Sequence, residues 1–307
     1  MTSRHTDILP EDWHKWSRIR PTVASPLTNG LTNRSYLLTA EDTTLVLRWN
    51  SPISAELDLD RPLEEQVLRQ AGQAGLGAPV VYCDPDHRYL VTRFIDGSPW
   101  RDLSGNSRPA LAQLARLARD IHQLPTVDRT LDIPGKVSHY WQSIRGSGEF
   151  IRALRTQDRE VRAHIAAAAR LNDGIVLCHN DLQPENLIFG KDGDLYAIDW
   201  EYAASGDPFY ELAVISEEHQ LQGPDLQRFL DTYLLRPATS ADLQRLTHWR
   251  VIYIYLSLLW YAVQRCQRSA RDRALDTKVT ALQKQLSKAA ASEGYRHLSI
   301  HEDGKRR

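Results

Sequence analysis

Two hydrophobic periods divide this chain. In its first hundred or so residues, apolar and polar positions alternate in short runs bounded by Gly, Pro, Asn and Asp. That is the pattern of half-buried strands. Ser35 to Thr39, Thr44 to Trp49, Val80 to Tyr82 and Tyr89 to Phe94 are predicted strands, and another enters a turn centred on Asn29-Gly30. One helix interrupts them. Leu63, Val67, Leu68 and Ala71 fall at helical spacing between Asp60 and Gly72, with Pro62 in the first turn. Further along, apolar residues recur every three or four positions. The spacing predicts helices over Pro109–Leu124, from His139 onward, and over Glu149–Leu171, Pro208–Glu218, Pro224–Leu234, Ala241–Arg268 and Arg271–Ala290. Strands first and helices later predict an α+β protein with a small antiparallel β-rich N-lobe and a larger, mainly helical C-lobe.

A second set of short strands lies inside the helical half. Ile175 to Cys178 is an apolar run. Leu187-Ile188-Phe189 and Leu195 to Ile198 flank Gly190-Lys191-Asp192-Gly193-Asp194, a hairpin signal. Pro184 disfavours helix at Gln183 and predicts a loop before it. Asn186 then precedes one hairpin strand and Asp199 ends the other, so an antiparallel pair brings them together. Two oxygen ligands from adjacent strand ends suit magnesium on nucleotide phosphates. Asp181, five residues before Asn186, lies on the loop, where it can face an incoming hydroxyl. The chemistry suggested is phosphoryl transfer.

His179-x-Asp181-x-x-x-x-Asn186 followed by Asp199 resembles the protein-kinase-like superfamily. Asn180 stands between His179 and Asp181, and Trp200-Glu201 follow Asp199. With Ile198 to Ala203 and Gly206-Asp207-Pro208-Phe209-Tyr210-Glu211-Leu212-Ala213, the segment is similar to the small-molecule branch of aminoglycoside phosphotransferases and choline kinases, nearest to thiamine kinases and bacterial choline kinases. The resemblance implies a two-lobed protein-kinase-like fold: a nucleotide-binding lobe over 1–94, a hinge at 95–99, a catalytic and substrate-binding lobe over 100–292 and a polar tail over 293–307. It implies Asp181 as catalytic base, Asn186 and Asp199 as magnesium ligands, and His179 as support for the loop. Asp207, ahead of Pro208, is also a helix N-cap candidate.

The same resemblance places nucleotide contacts. Asn29, Gly30 and Asn33 belong to the turn whose backbone can approach phosphates. Arg48 stands where a protein kinase has Lys, and it is expected to pair with Glu64 or Glu65. Arg93, Phe94 and Ile95 are the expected adenine contacts. ATP and Mg2+ are therefore the implied nucleotide and metal. For the acceptor, Trp200, Glu201 and Trp260 are candidates, since aromatic faces and carboxylates suit a cationic alcohol such as choline, ethanolamine or thiamine. Glu201, Asp207 and Glu211 together could add negative potential. An aminoglycoside or a sugar is the alternative acceptor. A nucleotide-binding pseudokinase scaffold is the alternative of another class; it expects loss of Asp181, Asn186 or Asp199, and all three are present.

Composition narrows this picture little. The 307 residues are 42% hydrophobic and 25% charged, with a net charge of -1. No bulk attraction to nucleic acid or an anionic membrane is expected. Cys83, Cys178 and Cys266 form no CxxC pair, and no Walker A sequence occurs. Cys178 reads as a buried strand residue rather than a nucleophile. Val251 to Val263 is too short for the ~20 residues of a membrane span and reads as a buried helix. The expectation is a cytoplasmic protein acting on a small-molecule alcohol.

Overall fold

The computed structural model describes residues 8–29, 33–52, 57–100, 108–144, 149–267 and 273–290. Its contacts group the described residues into two units. One falls within Met1–Ala55, Leu59–Leu103 and Glu185–Tyr202; the other falls within Glu56–Asp58, Ser104–Pro184 and Ala203–Arg307.

The first unit is built on an antiparallel sheet of β1 (Thr22–Asn29), β2 (Arg34–Ala40), β3 (Thr43–Trp49), β4 (Val80–Cys83) and β5 (Tyr89–Arg93), in the order β1-β2-β3-β5-β4. Registers Leu38↔Leu45 and Leu47↔Val91 set large apolar residues opposite one another. Leu38, Leu45, Leu47, Tyr89 and Val91 form a core with Leu9. Each such side chain contributes roughly 1.5–3 kcal/mol by leaving water. Helix α1 (Arg61–Gln73) starts where Asp60 accepts from the Leu63 amide at 3.1 Å, and it buries Val67, Leu68 and Ala71.

A three-stranded sheet completes this unit: β6 (Gly97–Pro99), then, beyond a helical insertion that belongs to the second unit, β8 (Leu187–Gly190) and β9 (Leu195–Ala197). The hairpin therefore groups with the sheet unit, although the chain between Gly97–Pro99 and Leu187–Gly190 runs mostly through the other unit. Its ties are specific. Ser98 pairs with Phe189, and the Ala197 amide donates to Leu76 at 2.9 Å. Gly77 bridges Ala197, and a Cβ at Gly77 would come within 3.1 Å of Trp200 Nε1, so glycine permits the close approach.

The second unit contains α2 (Arg108–His122), α3 (Ile133–Ser143), α4 (Glu149–Leu171), α5 (Pro208–Glu218), α6 (Gly223–Leu234), α7 (Ser240–Gln267) and α8 (Arg273–Ala290), with a small pairing of β7 (Val176–Cys178) and β10 (Ala204–Gly206). Phe209 to Ser216 of α5 are all buried, as are Ile252, Tyr255, Leu258, Leu259 and Val263 of α7. The apolar run 251–263 is thus a buried helix, and no helix among the described residues is long and apolar enough to cross a membrane.

The elements differ from expectation in places with identifiable causes. Helix α3 begins six residues before His139, because Asp132 caps it through the Gly135 amide at 3.0 Å and Pro134 suits the first turn. Pro184–Asn186 winds into a single 3-10 turn rather than an open loop. Strands β6 and β10 are three residues each, too short to show a period.

Candidate active site

In the first unit, β3, α1 and the end of the hairpin converge on one buried ionic network. Arg48 lies on β3. Its Nη2 is 2.5 Å from Glu64 on α1, and its Nη1 is 2.8 Å from Asp199. The choice left open between two glutamates thus falls on Glu64. Glu65 instead holds Arg69 at 2.7 Å, one turn along the helix. Arg61, one turn before Glu64, extends the network. Its Nη1 reaches Glu64 at 2.7 Å and Glu201 at 2.9 Å, and its Nη2 donates to Asn33 at 3.1 Å. Asn33 in turn donates to Glu201 at 2.8 Å and accepts from the Ser51 amide at 3.2 Å.

Two guanidinium groups here face three carboxylates, which leaves an excess of negative charge. Its effect is visible at Glu201. Burial, and then the neighbouring Asp199 charge, push its pKa up to about 7 despite the two arginines. Asp199 is the member of the network open to solvent, with a side chain 35% exposed. Its backbone has φ 62°, in the left-handed region that costs a non-glycine residue about 1 kcal/mol. The Ile198 amide donates to the Asn186 carbonyl at 2.9 Å, so the hairpin brings the Asn186 and Asp199 positions alongside each other.

Several expected contacts take a different form. Trp200 is fully buried, and its Nε1 donates to the Ala197 carbonyl at 3.1 Å. It packs the hairpin and offers no surface to a substrate. Glu201 is likewise buried, with Arg61 and Asn33 as its partners. The Asn33 side chain is held by protein groups at both ends of its amide rather than turned to a phosphate. The amides of Arg93 and Phe94 donate to Pro79 and Thr44 at 2.9 and 3.1 Å, so those two donors are taken up by the protein itself. Asn29 ends β1, while its side chain and Gly30 lie outside the described residues.

In the second unit the loop after β7 is held from beneath. His179 is fully buried, and its Nδ1 accepts from the Asp181 amide at 3.2 Å. Asn180 sits at φ 66°, a conformation Asn tolerates better than most residues. Its amide donates to Glu211 at 2.6 Å. Glu211 also bonds His122 Nε2 at 2.8 Å, and His122 Nδ1 bonds the Tyr233 hydroxyl at 2.7 Å. This chain of buried groups fixes the turn that presents Asp181. Gln183 closes the loop, with its side chain donating to Asp181 Oδ2 at 3.2 Å. His219 bonds the Leu182 carbonyl at 3.0 Å, and burial lowers its pKa to about 4, so it donates as a neutral imidazole.

Asp207 caps α5, accepting from the Phe209 amide at 2.8 Å. It also holds Arg245 at 2.8 Å and Trp249 Nε1 at 3.0 Å. Asp207 and Glu211 are thus structural carboxylates with internal partners, a correction to the idea that they attract a cation. Burial makes the Cys178 thiol a poor acid, in line with a strand residue.

The aromatic cluster in this unit joins Tyr210 of α5 to Trp249 and Tyr253 of α7. Tyr210 packs edge-on against Trp249 and Tyr253, with centroids 5.6 and 6.2 Å away. Tyr253 donates to Glu218 at 2.6 Å. Both hydroxyls are made weaker acids, by burial first and with the Asp181 charge contributing. Asp181 therefore lies within electrostatic reach of an aromatic wall that carries a carboxylate. Trp260 is two helical turns beyond Tyr253, about 10 Å along the axis, and meets Tyr261 edge-on with centroids 4.8 Å apart.

Comparison with known proteins follows the same lines. The model of the phosphotransferase enzyme family matches residues 23–249. Protein LicA of Haemophilus influenzae is 28% identical over 208 residues, covering 66% of this chain and 60% of that protein. The chain thus spans about 60% of the length of that relative. Thiamine kinase of Shigella boydii is 28% identical over 198 residues, covering 63% of this chain and 66% of its own length. Among solved structures, choline kinase LicA from Streptococcus pneumoniae superposes with a TM-score of 0.72 at 18% identity, covering 89% of this chain and 94% of that one. At that identity the likeness speaks for the fold, which is protein-kinase-like.

Proposed function

The chain belongs to the phosphotransferase enzyme family, and from that premise we propose that it transfers the terminal phosphoryl group of ATP to the hydroxyl of a small cationic metabolite, of the choline, ethanolamine or thiamine kind. The observation that carries this reading is the loop of Asp181, fixed by His179 and by the Glu211–His122–Tyr233 chain. A carboxylate held on a preorganised turn is suited to orient a hydroxyl and accept its proton as phosphoryl transfer proceeds.

The donors on the hairpin fit magnesium. Asn186 and Asp199 are hard oxygen donors on neighbouring positions, and the network around Asp199 carries excess negative charge that a cation offsets. When bound there, magnesium supplies charge neutralisation on the nucleotide phosphates. Arg48, fixed between Glu64 and Asp199, adds a permanent positive charge on the same side of the unit. For adenine, Ile95 takes precedence over Arg93 and Phe94, whose amides are in use. For the acceptor, the half-buried Tyr253 supplies a ring and Glu218 a carboxylate, backed by the buried Tyr210, a set that favours a single quaternary or thiazolium charge. Curated relatives include a thiamine kinase and an ethanolamine kinase, which supports that class.

The test is ADP release with Mg-ATP and a panel of choline, ethanolamine, thiamine, kanamycin and simple sugars. One cationic alcohol should turn over, and Asp181→Ala should lower kcat by about 10²–10⁴ with the apparent KM for ATP nearly unchanged. Turnover confined to kanamycin or a sugar would move the acceptor class. Nucleotide binding with no turnover at all would favour the scaffold alternative.

A further inference from the structure

Among the described residues, two groups of three metal-ligating side chains lie with their donor atoms within 4.8 Å of one another: His122, Cys178 and Glu211, and Glu65, Cys83 and His87. The first group is fully buried. Its His122 and Glu211 are already bonded to Tyr233 and the Asn180 amide. The second group is placed nearer the surface. It spans α1, the end of β4 and the β4–β5 turn, all in the first unit. Its side chains are partly open: Glu65 is 26% exposed and His87 23%. The three line a small cleft together with Asn50, Arg61 and Glu64.

We propose that Glu65, Cys83 and His87 form a binding site for a thiophilic divalent cation of the zinc class, distinct from the magnesium position. The donor set of one carboxylate, one thiolate and one imidazole is a zinc set, with a fourth position left to solvent. Donors around tetrahedral zinc stand about 3.5 Å apart, so the present spacing closes with small side-chain adjustments. His87 Nε2 already lies 3.2 Å from Glu65 Oε2.

The supporting shell is in place. Arg69 donates twice to Glu65 Oε1, which leaves Oε2 turned to His87. The His87 backbone is fixed at both ends: its amide donates to Asp84 at 2.7 Å, and its carbonyl accepts from Asn50 at 2.7 Å. Its φ of 53° places it in the left-handed region.

The thiol sets the selectivity. Burial and the hydrogen bond to Glu65 push the Cys83 pKa up to about 12, so the metal-free group is a protonated thiol. Binding breaks the S–H bond as the metal–sulfur bond forms, and the proton leaves to solvent. Magnesium, a hard ion, does not drive that exchange; zinc, cobalt(II) and cadmium do. An ion there ties α1 to the β4–β5 turn at the residue next to Glu64.

The experiment titrates cobalt(II) into chelator-treated full chain and follows the near-ultraviolet thiolate-to-cobalt charge-transfer band. One equivalent should give the band, zinc should abolish it and magnesium should not. Cys83→Ser should remove the band, and His87→Asn, which tolerates the left-handed backbone, should weaken cobalt binding at least tenfold. Both variants should keep the metal-free urea midpoint of the parent, which separates ligand loss from misfolding. Zinc should raise Tm in the parent and not in Cys83→Ser. No band, or a band that persists in Cys83→Ser and disappears in Cys266→Ser, overturns the proposal.

Discussion

At the scale of single residues, two left-handed conformations stand beside the chemistry. Asn180 at φ 66° and Asp199 at φ 62° each hold a main-chain bend that an ordinary side chain resists. At Asn180 the bend aims the amide at Glu211 while Asp181 follows. Asn180→Gly should therefore fold with nearly parental stability. Asn180→Ala should cost about 1–2 kcal/mol in urea denaturation and lower kcat more than it raises KM, since Asp181 is displaced. The candidates Asp181, Asn186 and Asp199 were legible in the sequence because nineteen residues hold all three at spacings that a loop and a hairpin dictate. Arg61 and Glu201 were not legible as partners, nor were Glu211 and His122. Their contacts close across 140 and 89 residues, and no local pattern encodes such a closure. Trp200 was misread for a related reason. Proximity to a candidate metal ligand suggested exposure, whereas Trp200 lies beyond the strand, after the left-handed Asp199, and is buried out of phase with Leu195 and Ala197.

At the scale of elements, long periodic segments were read correctly and short ones were not. Helices α2, α4 and α5 follow the apolar stripe within a residue or two, because burial of a continuous face fixes them. Strands β6 and β10 owe their existence to partners, Leu187–Gly190 and Val176–Cys178, rather than to their own sequence. Between α4 and α7 lies a pair that the sequence also hid. His164 and His248 meet Nδ1 to Nδ1 at 3.0 Å, both buried. Burial, and then the neighbouring His248, lower His164 to about 4; burial also lowers His248. Their folded-state pKa values lie below the unfolded value of 6.5, so the folded state binds fewer protons. The stability they allow is present above pH 6.5 and declines as pH falls toward 4. The slope is up to about 1.4 kcal/mol per pH unit for each proton taken up on unfolding. Unfolding free energies measured between pH 7.5 and 4.5, within roughly that window, should fall less steeply for His164→Phe than for the parent.

At the scale of the whole molecule, the chain threads back and forth between its two units. The sheet unit is closed only when Glu185–Tyr202 returns to it, carrying the partner strand of β6 and the Asp199 partner of Arg48. A fragment of residues 1–103 should therefore lack a cooperative urea transition by circular dichroism, and adding residues 185–202 through a short linker should restore one. A sharp transition in the shorter fragment alone would contradict this view of the unit. The interleaving also bears on how the protein is made. A ribosome that has released the first hundred residues has supplied Glu64 but not Asp199, the second carboxylate on Arg48, and about another eighty must emerge before that piece arrives. During that interval Gly97–Pro99 waits without its partner strand, which makes the nascent chain, rather than the finished protein, the stage most in need of a chaperone's shelter.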